Sequence, residues 1–80
     1  MERNEILEKL TAIFRTTFND SELVLNDEMN AGDVENWDSL TNMLMISEVE
    51  SQFGIRFKLK ELNQLKTVGD IVRILEEKLK

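Results

Sequence analysis

Residues able to do chemistry are few in this chain, and the most suggestive of them surround one serine. Asp38-Ser39-Leu40 stands at the head of a long apolar-periodic stretch. Asp38 suits the N-cap of a helix, where a carboxylate accepts the free N–H groups of the first turn. Ser39 then falls at the junction of loop and helix, where a hydroxyl is accessible. A phosphate esterified to that hydroxyl would lie near unpaired backbone N–H groups and the positive end of the helix dipole. Serine is also common in a first helical turn for purely local reasons. Position alone therefore leaves a modified serine and an ordinary one both open.

Other chemistry has little to work with. The chain contains no histidine and no cysteine. That removes the side chain best suited to proton transfer at neutral pH, the thiolate nucleophile, any disulfide, and the ligands of most zinc sites. Catalytic triads go with them. Asp27 to Asp38 invites comparison with a calcium-binding helix–loop–helix, since Gly32 is sixth from Asp27. Met29 occupies a position that needs an oxygen ligand, however, and the twelfth residue is Asp38 rather than glutamate. Glu76-Glu77 reads as an exposed helix face, and neither type of glycine-rich phosphate loop is present.

The elements that must position Ser39 follow from periodicity. Ile6, Leu10, Ile13, Phe14 and Phe18 recur at three- and four-residue steps and predict a helix over 2–18. Asn19-Asp20-Ser21 stops it. Residues 19–37 form a long loop, with Leu23, Val24, Leu25, Met29, Val34 and Trp37 scattered along it. Some of these must tuck against the bundle, and Trp37 is read as a loop anchor. A second helix covers 39–53, closed by Gly54. Residues 55–60 alternate apolar with basic, an extended pattern with one face inward, and 60–65 allow one short helical turn. Thr67 caps the last helix with Asp70 at N3. Val68, Ile71, Val72, Leu75 and Leu79 are its inward stripe. The fold class expected is all-α: a small four-helix bundle, three main helices plus one short one, with a long loop between the first two.

Eighty residues make one domain, 1–80, with a modest core and no room for a deep cleft. At 41% hydrophobic and 32% charged, the composition excludes both a disordered chain and a membrane-embedded one. No apolar run approaches the roughly 20 residues that span a bilayer, and the N-terminal residues lack the pattern of a signal peptide. A cytoplasmic protein without membrane insertion is expected. The net charge of −6 disfavours nucleic acid. It serves either plain solubility or steering towards basic partners.

On the central helix, Met45, Ile46, Val49 and Phe53 share the face assigned to the core. Leu40, Met43, Leu44 and Ser47 lie opposite, with Glu48 and Glu50 beside them. Such a second apolar patch is either a docking surface or the mark of a helix buried nearly all round. Met45, Ile46 and Phe53, with Phe57 and Ile71, are assigned to ordinary core rather than to an internal groove.

Asn36-Trp37-Asp38-Ser39-Leu40, the helix ending Glu50-Ser51-Gln52-Phe53-Gly54-Ile55, and the Thr67-Val68-Gly69-Asp70 start of the last helix occur in the order found in the acyl carrier protein family, which the chain resembles over essentially its whole length. The resemblance implies that Ser39 receives 4′-phosphopantetheine from coenzyme A through a phosphopantetheinyl transferase. It implies that Asp38 assists that transfer and its Mg²⁺. It places Leu40, Met43, Leu44, Ser47 and Glu50 on the helix where partner enzymes dock. The implied function is carriage of thioester-bound acyl groups between the loading, synthase and transferase enzymes of fatty acid, polyketide or related biosynthesis. The chain would be their substrate, not itself an enzyme, with a monomer as the default.

The chain departs from the family at identifiable places. Asn36 stands where many members have glycine, Leu44 where fatty-acid carriers often have an acidic residue, and Arg56, Lys58 and Lys60 in a region that is often acidic. These departures bear on pathway. A peptidyl or aminoacyl carrier, including one for D-alanine, shares the same features. The alternative outside the carrier class is an unmodified helical adaptor that binds through the Leu40, Met43 and Leu44 patch.

Overall fold

The computed structural model describes residues 2–80; Met1 of the expected domain 1–80 lies outside them. Four α-helices and one 3₁₀ turn make up the regular structure of the described residues. They are α1 (Arg3–Thr17), the turn Ala31–Asp33, α2 (Ser39–Phe53), α3 (Leu59–Leu62) and α4 (Val68–Lys78). This is the expected small four-helix bundle, three main helices plus a short one.

The apolar stripe of α1 is what holds it. Ile6, Leu10, Ile13 and Phe14 are buried, and Phe18 just beyond the helix is buried with them. Asn19 then enters the left-handed region at φ 54 and turns the chain out of the helix. α1 packs against both α2 and α4, so it is the common wall of the bundle. α2 buries Met45, Ile46, Val49 and Phe53 against it. The groove considered for Met45, Ile46, Phe53, Phe57 and Ile71 is filled core, since all five are buried in one hydrophobic cluster.

α4 is more enclosed than its stripe suggested. Val68, Ile71, Val72 and Leu75 are buried as expected, Ile74 joins them, and Leu79 is only half-buried. Its start is fastened to the long loop: Val68 N–H donates to the Met29 carbonyl at 2.9 Å and Gly69 N–H to the Asp27 carbonyl at 3.0 Å. A Cβ on Gly69 would stand 2.9 Å from that same Asp27 oxygen. Glycine at 69 is what lets loop and helix approach so closely.

The segment 55–60 is a correction. It contains no strand, and its alternation fails where Leu59 is left 75% exposed at the first position of α3. Phe57 alone is deeply inward, and Ile55 is half-buried. The short helix covers Leu59–Leu62 rather than 60–65. It starts earlier because Glu61 Oε1 accepts the Lys58 N–H at 2.7 Å, a local cap that periodicity does not register. Glu61 is held from the other side by Lys78 Nζ at 2.9 Å, which ties α3 to the end of α4.

No helix among the described residues is long and apolar enough to cross a membrane.

Candidate functional site

The loop that precedes α2 is anchored by an aromatic cluster. Trp37 is buried, with its indole edge-on to Phe14 at 5.2 Å between ring centroids and tilted on Phe18 at 5.4 Å. Its Nε1–H donates to Asn42 Oδ1 at 2.9 Å, so the buried indole nitrogen is satisfied. One residue earlier, Asn36 adopts φ 71. Asparagine enters that left-handed region at lower cost than most residues. Asn36 adds a hold of its own, since its Nδ2 donates to the Phe18 carbonyl at 3.2 Å.

Fixed in this way, the chain enters α2 through a reciprocal cap. Asp38 Oδ1 accepts the N–H groups of Leu40 at 2.9 Å and Thr41 at 3.0 Å. Thr41 Oγ1 accepts the Asp38 N–H at 2.8 Å and donates to the Asn36 carbonyl. The N–H of Thr41, then the hydroxyl of Thr41 and the N–H of Leu40, hold the Asp38 carboxyl below its ordinary value against a smaller opposing effect of desolvation. Asp38 is therefore ionised at neutral pH and a weak base.

Ser39 is the first residue of α2 and is exposed. Among the described residues its hydroxyl takes part in no side-chain hydrogen bond, so nothing need be broken for it to react. One expectation changes. The N–H groups of Leu40 and Thr41 are taken by Asp38, and that of Asn42 by the Asp38 carbonyl at 2.8 Å. A phosphate on Ser39 would meet the helix dipole but not those three donors.

Beside Ser39 lies an open hollow of about 550 Å³. The 3₁₀ turn, Trp37, Asn42, Leu65 and Lys66 contribute to its walls. Its size falls within the usual range of ligand sites, roughly 300–1,000 Å³. Asn30, Asn42 and Lys66 bring polar groups to walls that are otherwise mostly apolar. Asn42, Leu65 and Lys66 were not singled out from sequence. They come from separate elements with no shared motif, and only the packing of residues 65 and 66 beside α2 brings them together.

The outer face of α2 resolves the two readings of its second apolar patch. Leu40 is 72%, Met43 58% and Leu44 57% exposed, so the helix is not buried all round. Ser47 and Glu48 are exposed on the same side. The two acids are less free than expected. Glu48 Oε1 accepts from Gln52 Nε2 at 2.8 Å. Glu50 is half-buried, and its Oε2 accepts the Phe57 N–H at 2.8 Å, holding the chain as it leaves α2.

Three comparisons bear on this geometry. The family model described as the phosphopantetheine attachment site matches residues 8–75. An acyl carrier protein of Coprothermobacter proteolyticus is 35% identical over 79 residues, covering 99% of this chain and 96% of that one. One from Thermotoga maritima is 32% identical over 77 residues, covering 96% and 95%. The solution NMR structure of a holo acyl carrier protein from Geobacter metallireducens superposes with a TM-score of 0.85 at 44% identity, covering 91% of this chain and 84% of that chain.

Proposed function

The chain belongs to the acyl carrier protein family, and from that premise we propose that Ser39 carries the 4′-phosphopantetheine arm on which acyl groups travel as thioesters. The observation that carries this assignment is an exposed, uncommitted hydroxyl at the first position of α2, next to an ionised aspartate and an open hollow. When attached, the arm supplies the terminal thiol that a chain without cysteine lacks.

The attachment chemistry assigns separate tasks to neighbouring residues. Ser39 Oγ forms the new bond to phosphorus, and the bond to the departing nucleotide of coenzyme A breaks. The hydroxyl proton leaves as that bond forms, taken up by a base at the transferase interface. Asp38 caps α2 through Oδ1, and its carboxylate would be available to help hold the Mg²⁺ that the transfer uses. After loading, the gain is effective concentration: one tethered acyl group visits successive active sites without dissociating.

The partners proposed are a phosphopantetheinyl transferase and the loading, synthase and transferase enzymes that act on the thioester. Leu40, Met43 and Leu44 supply an apolar contact, with Ser47, Glu48 and Glu50 at its edge. Few apolar contacts with a charged rim suit docking that must be fast and reversible. Residues 1–80 act as one carrier domain, as a monomer, and as the substrate of these enzymes.

The test is intact mass after incubation with coenzyme A, Mg²⁺ and a broad-specificity transferase. A gain of one phosphopantetheine identifies a carrier. No gain with two different transferases would favour an unmodified adaptor.

A further inference from the structure

A phosphate on Ser39 finds the backbone donors around it already engaged. Asp38 Oδ1 accepts the N–H groups of Leu40 and Thr41, and the Asp38 carbonyl accepts that of Asn42. The same carboxylate is ionised, so a phosphodiester on the next residue stands beside a like charge. The loop and α2 bring no cation to relieve this. Between Arg15 and Arg56 the sequence has no lysine or arginine, while Asp27, Glu28, Asp33, Glu35 and Asp38 lead up to the serine.

A cation reaches the site from a later part of the chain. Lys66 lines the hollow that Ser39 also lines, and among the described residues it is the only lysine or arginine to do so. Its backbone N–H donates to the Gln64 carbonyl at 3.0 Å and to Asp70 Oδ2 at 3.1 Å, which fixes the residue just ahead of α4. Its side chain is exposed, and Nζ joins no ion pair among the described residues, whereas Arg3, Arg73 and Lys78 are each committed to carboxylates. An uncommitted ammonium on a flexible four-carbon stem, at the rim of the same hollow, supplies the charge that a phosphate at Ser39 lacks.

On the reading that Ser39 bears the arm, we propose that Lys66 pairs with the phosphate of the arm and so sets the direction in which the arm leaves α2, towards residues 65 and 66. The pair is exposed, so it orients the arm rather than stabilising the fold.

The experiment compares apo and holo forms of the wild type, Lys66→Met, Lys66→Arg and Lys60→Met, each loaded from coenzyme A by a transferase and mapped by mass spectrometry. Failure to load, or a modification away from Ser39, would sink the Ser39 reading, and this proposal with it, before any phosphate contact is measured. Lys66→Met keeps the bulk of the stem without its charge, and its apo form should melt with the wild type. At low salt the proton and carbon NMR signals of the Lys66 ε-methylene should shift on loading. Overhauser contacts should join that methylene to the arm's methylene next to the phosphate. The phosphorus NMR signal of holo Lys66→Met should be displaced from that of the wild type, and Lys66→Arg should restore most of the difference. Added salt should move the wild-type signal towards that of Lys66→Met. Lys60 is exposed but does not line the hollow, so Lys60→Met should leave the phosphorus signal unchanged. A Lys66 ε-methylene that is indifferent to loading would overturn the proposal. So would a phosphorus signal shared by the wild type and Lys66→Met, or one displaced equally by Lys60→Met, since the phosphate would then respond only to net charge.

Discussion

Asp38 and Thr41 hold each other across the first turn of α2: the carboxylate of one accepts the backbone N–H of the other at 3.0 Å, and the hydroxyl returns the favour at 2.8 Å. Ser39 lies between them, so its side chain is placed by its neighbours rather than by a hydrogen bond of its own. Structural and chemical roles of Asp38 can therefore be separated. Asp38→Asn keeps an acceptor for the cap, and circular dichroism should show the helices intact. Its modification by a transferase should slow roughly tenfold or more, the scale of one lost charge-assisted contact. Asp38→Ala should show both slower modification and a lower melting temperature. Equal modification rates in wild type and Asp38→Asn would remove the carboxylate charge from the attachment step.

Acid should weaken the fold through three carboxylates. Asp38 is held low chiefly by the N–H of Thr41 and Glu61 chiefly by the N–H of Lys58. Burial pushes Asp70 up, but the N–H groups of Lys66 and Thr67 outweigh it. A depressed folded value means stability that is present above the ordinary values of 3.8 and 4.5 and lost as pH falls below them. Relief of self-repulsion in a chain of net charge −6 acts in the opposite sense over the same range. Urea unfolding of wild type and Glu61→Gln separates the two. Their stability difference should be constant near neutral pH and shrink below about pH 4.5. A difference that persists to pH 2 would contradict the assigned bonds.

Gly69 and Gly54 should fail for different reasons when changed to alanine. At Gly69 the new methyl meets the Asp27 carbonyl at 2.9 Å, and neither backbone can yield cheaply. A loss of roughly 1–3 kcal/mol is expected from overpacking. At Gly54 nothing lies within 4 Å of a Cβ, but φ is 65. The cost there is conformational, roughly 1–2 kcal/mol. Gly54→Asn should recover part of that loss and Gly69→Asn none of its own, as read by denaturant midpoints.

Met43→Glu and Leu44→Lys change exposed side chains on α2. Stability should stay within about 0.5 kcal/mol of wild type. Loading by a partner enzyme should weaken about fivefold or more if these residues anchor docking. Unchanged loading kinetics in both variants would move the docking surface elsewhere.

The three main helices were legible because their apolar residues fall on single faces, as Ile6, Leu10, Ile13 and Phe14 do. Asp38 and Thr67 were legible as caps because their chemistry is local. The remainder depends on contacts between distant residues. Ile74 lies off the expected stripe and yet is buried in the same core cluster. The acid of Glu50 is taken by Phe57 seven positions away. The bond from Trp37 to Asn42 and the approach of Leu65 and Lys66 to Ser39 exist only once the helices pack. Asn36 was read only as a departure from the family's pattern; its left-handed backbone, φ 71, shows only in the folded chain. The 3₁₀ turn at Ala31–Asp33 had no periodic signal, being three residues long.

The most direct test of the central claim is localisation of the arm by fragmentation mass spectrometry, after the wild type and Ser39→Ala have been incubated with coenzyme A, Mg²⁺ and a transferase. The expected result is one modification in the wild type, confined to fragments containing Ser39, and none in a normally folded Ser39→Ala. A modification mapped to Ser47, Ser51 or any other residue, or one retained by Ser39→Ala, would contradict it.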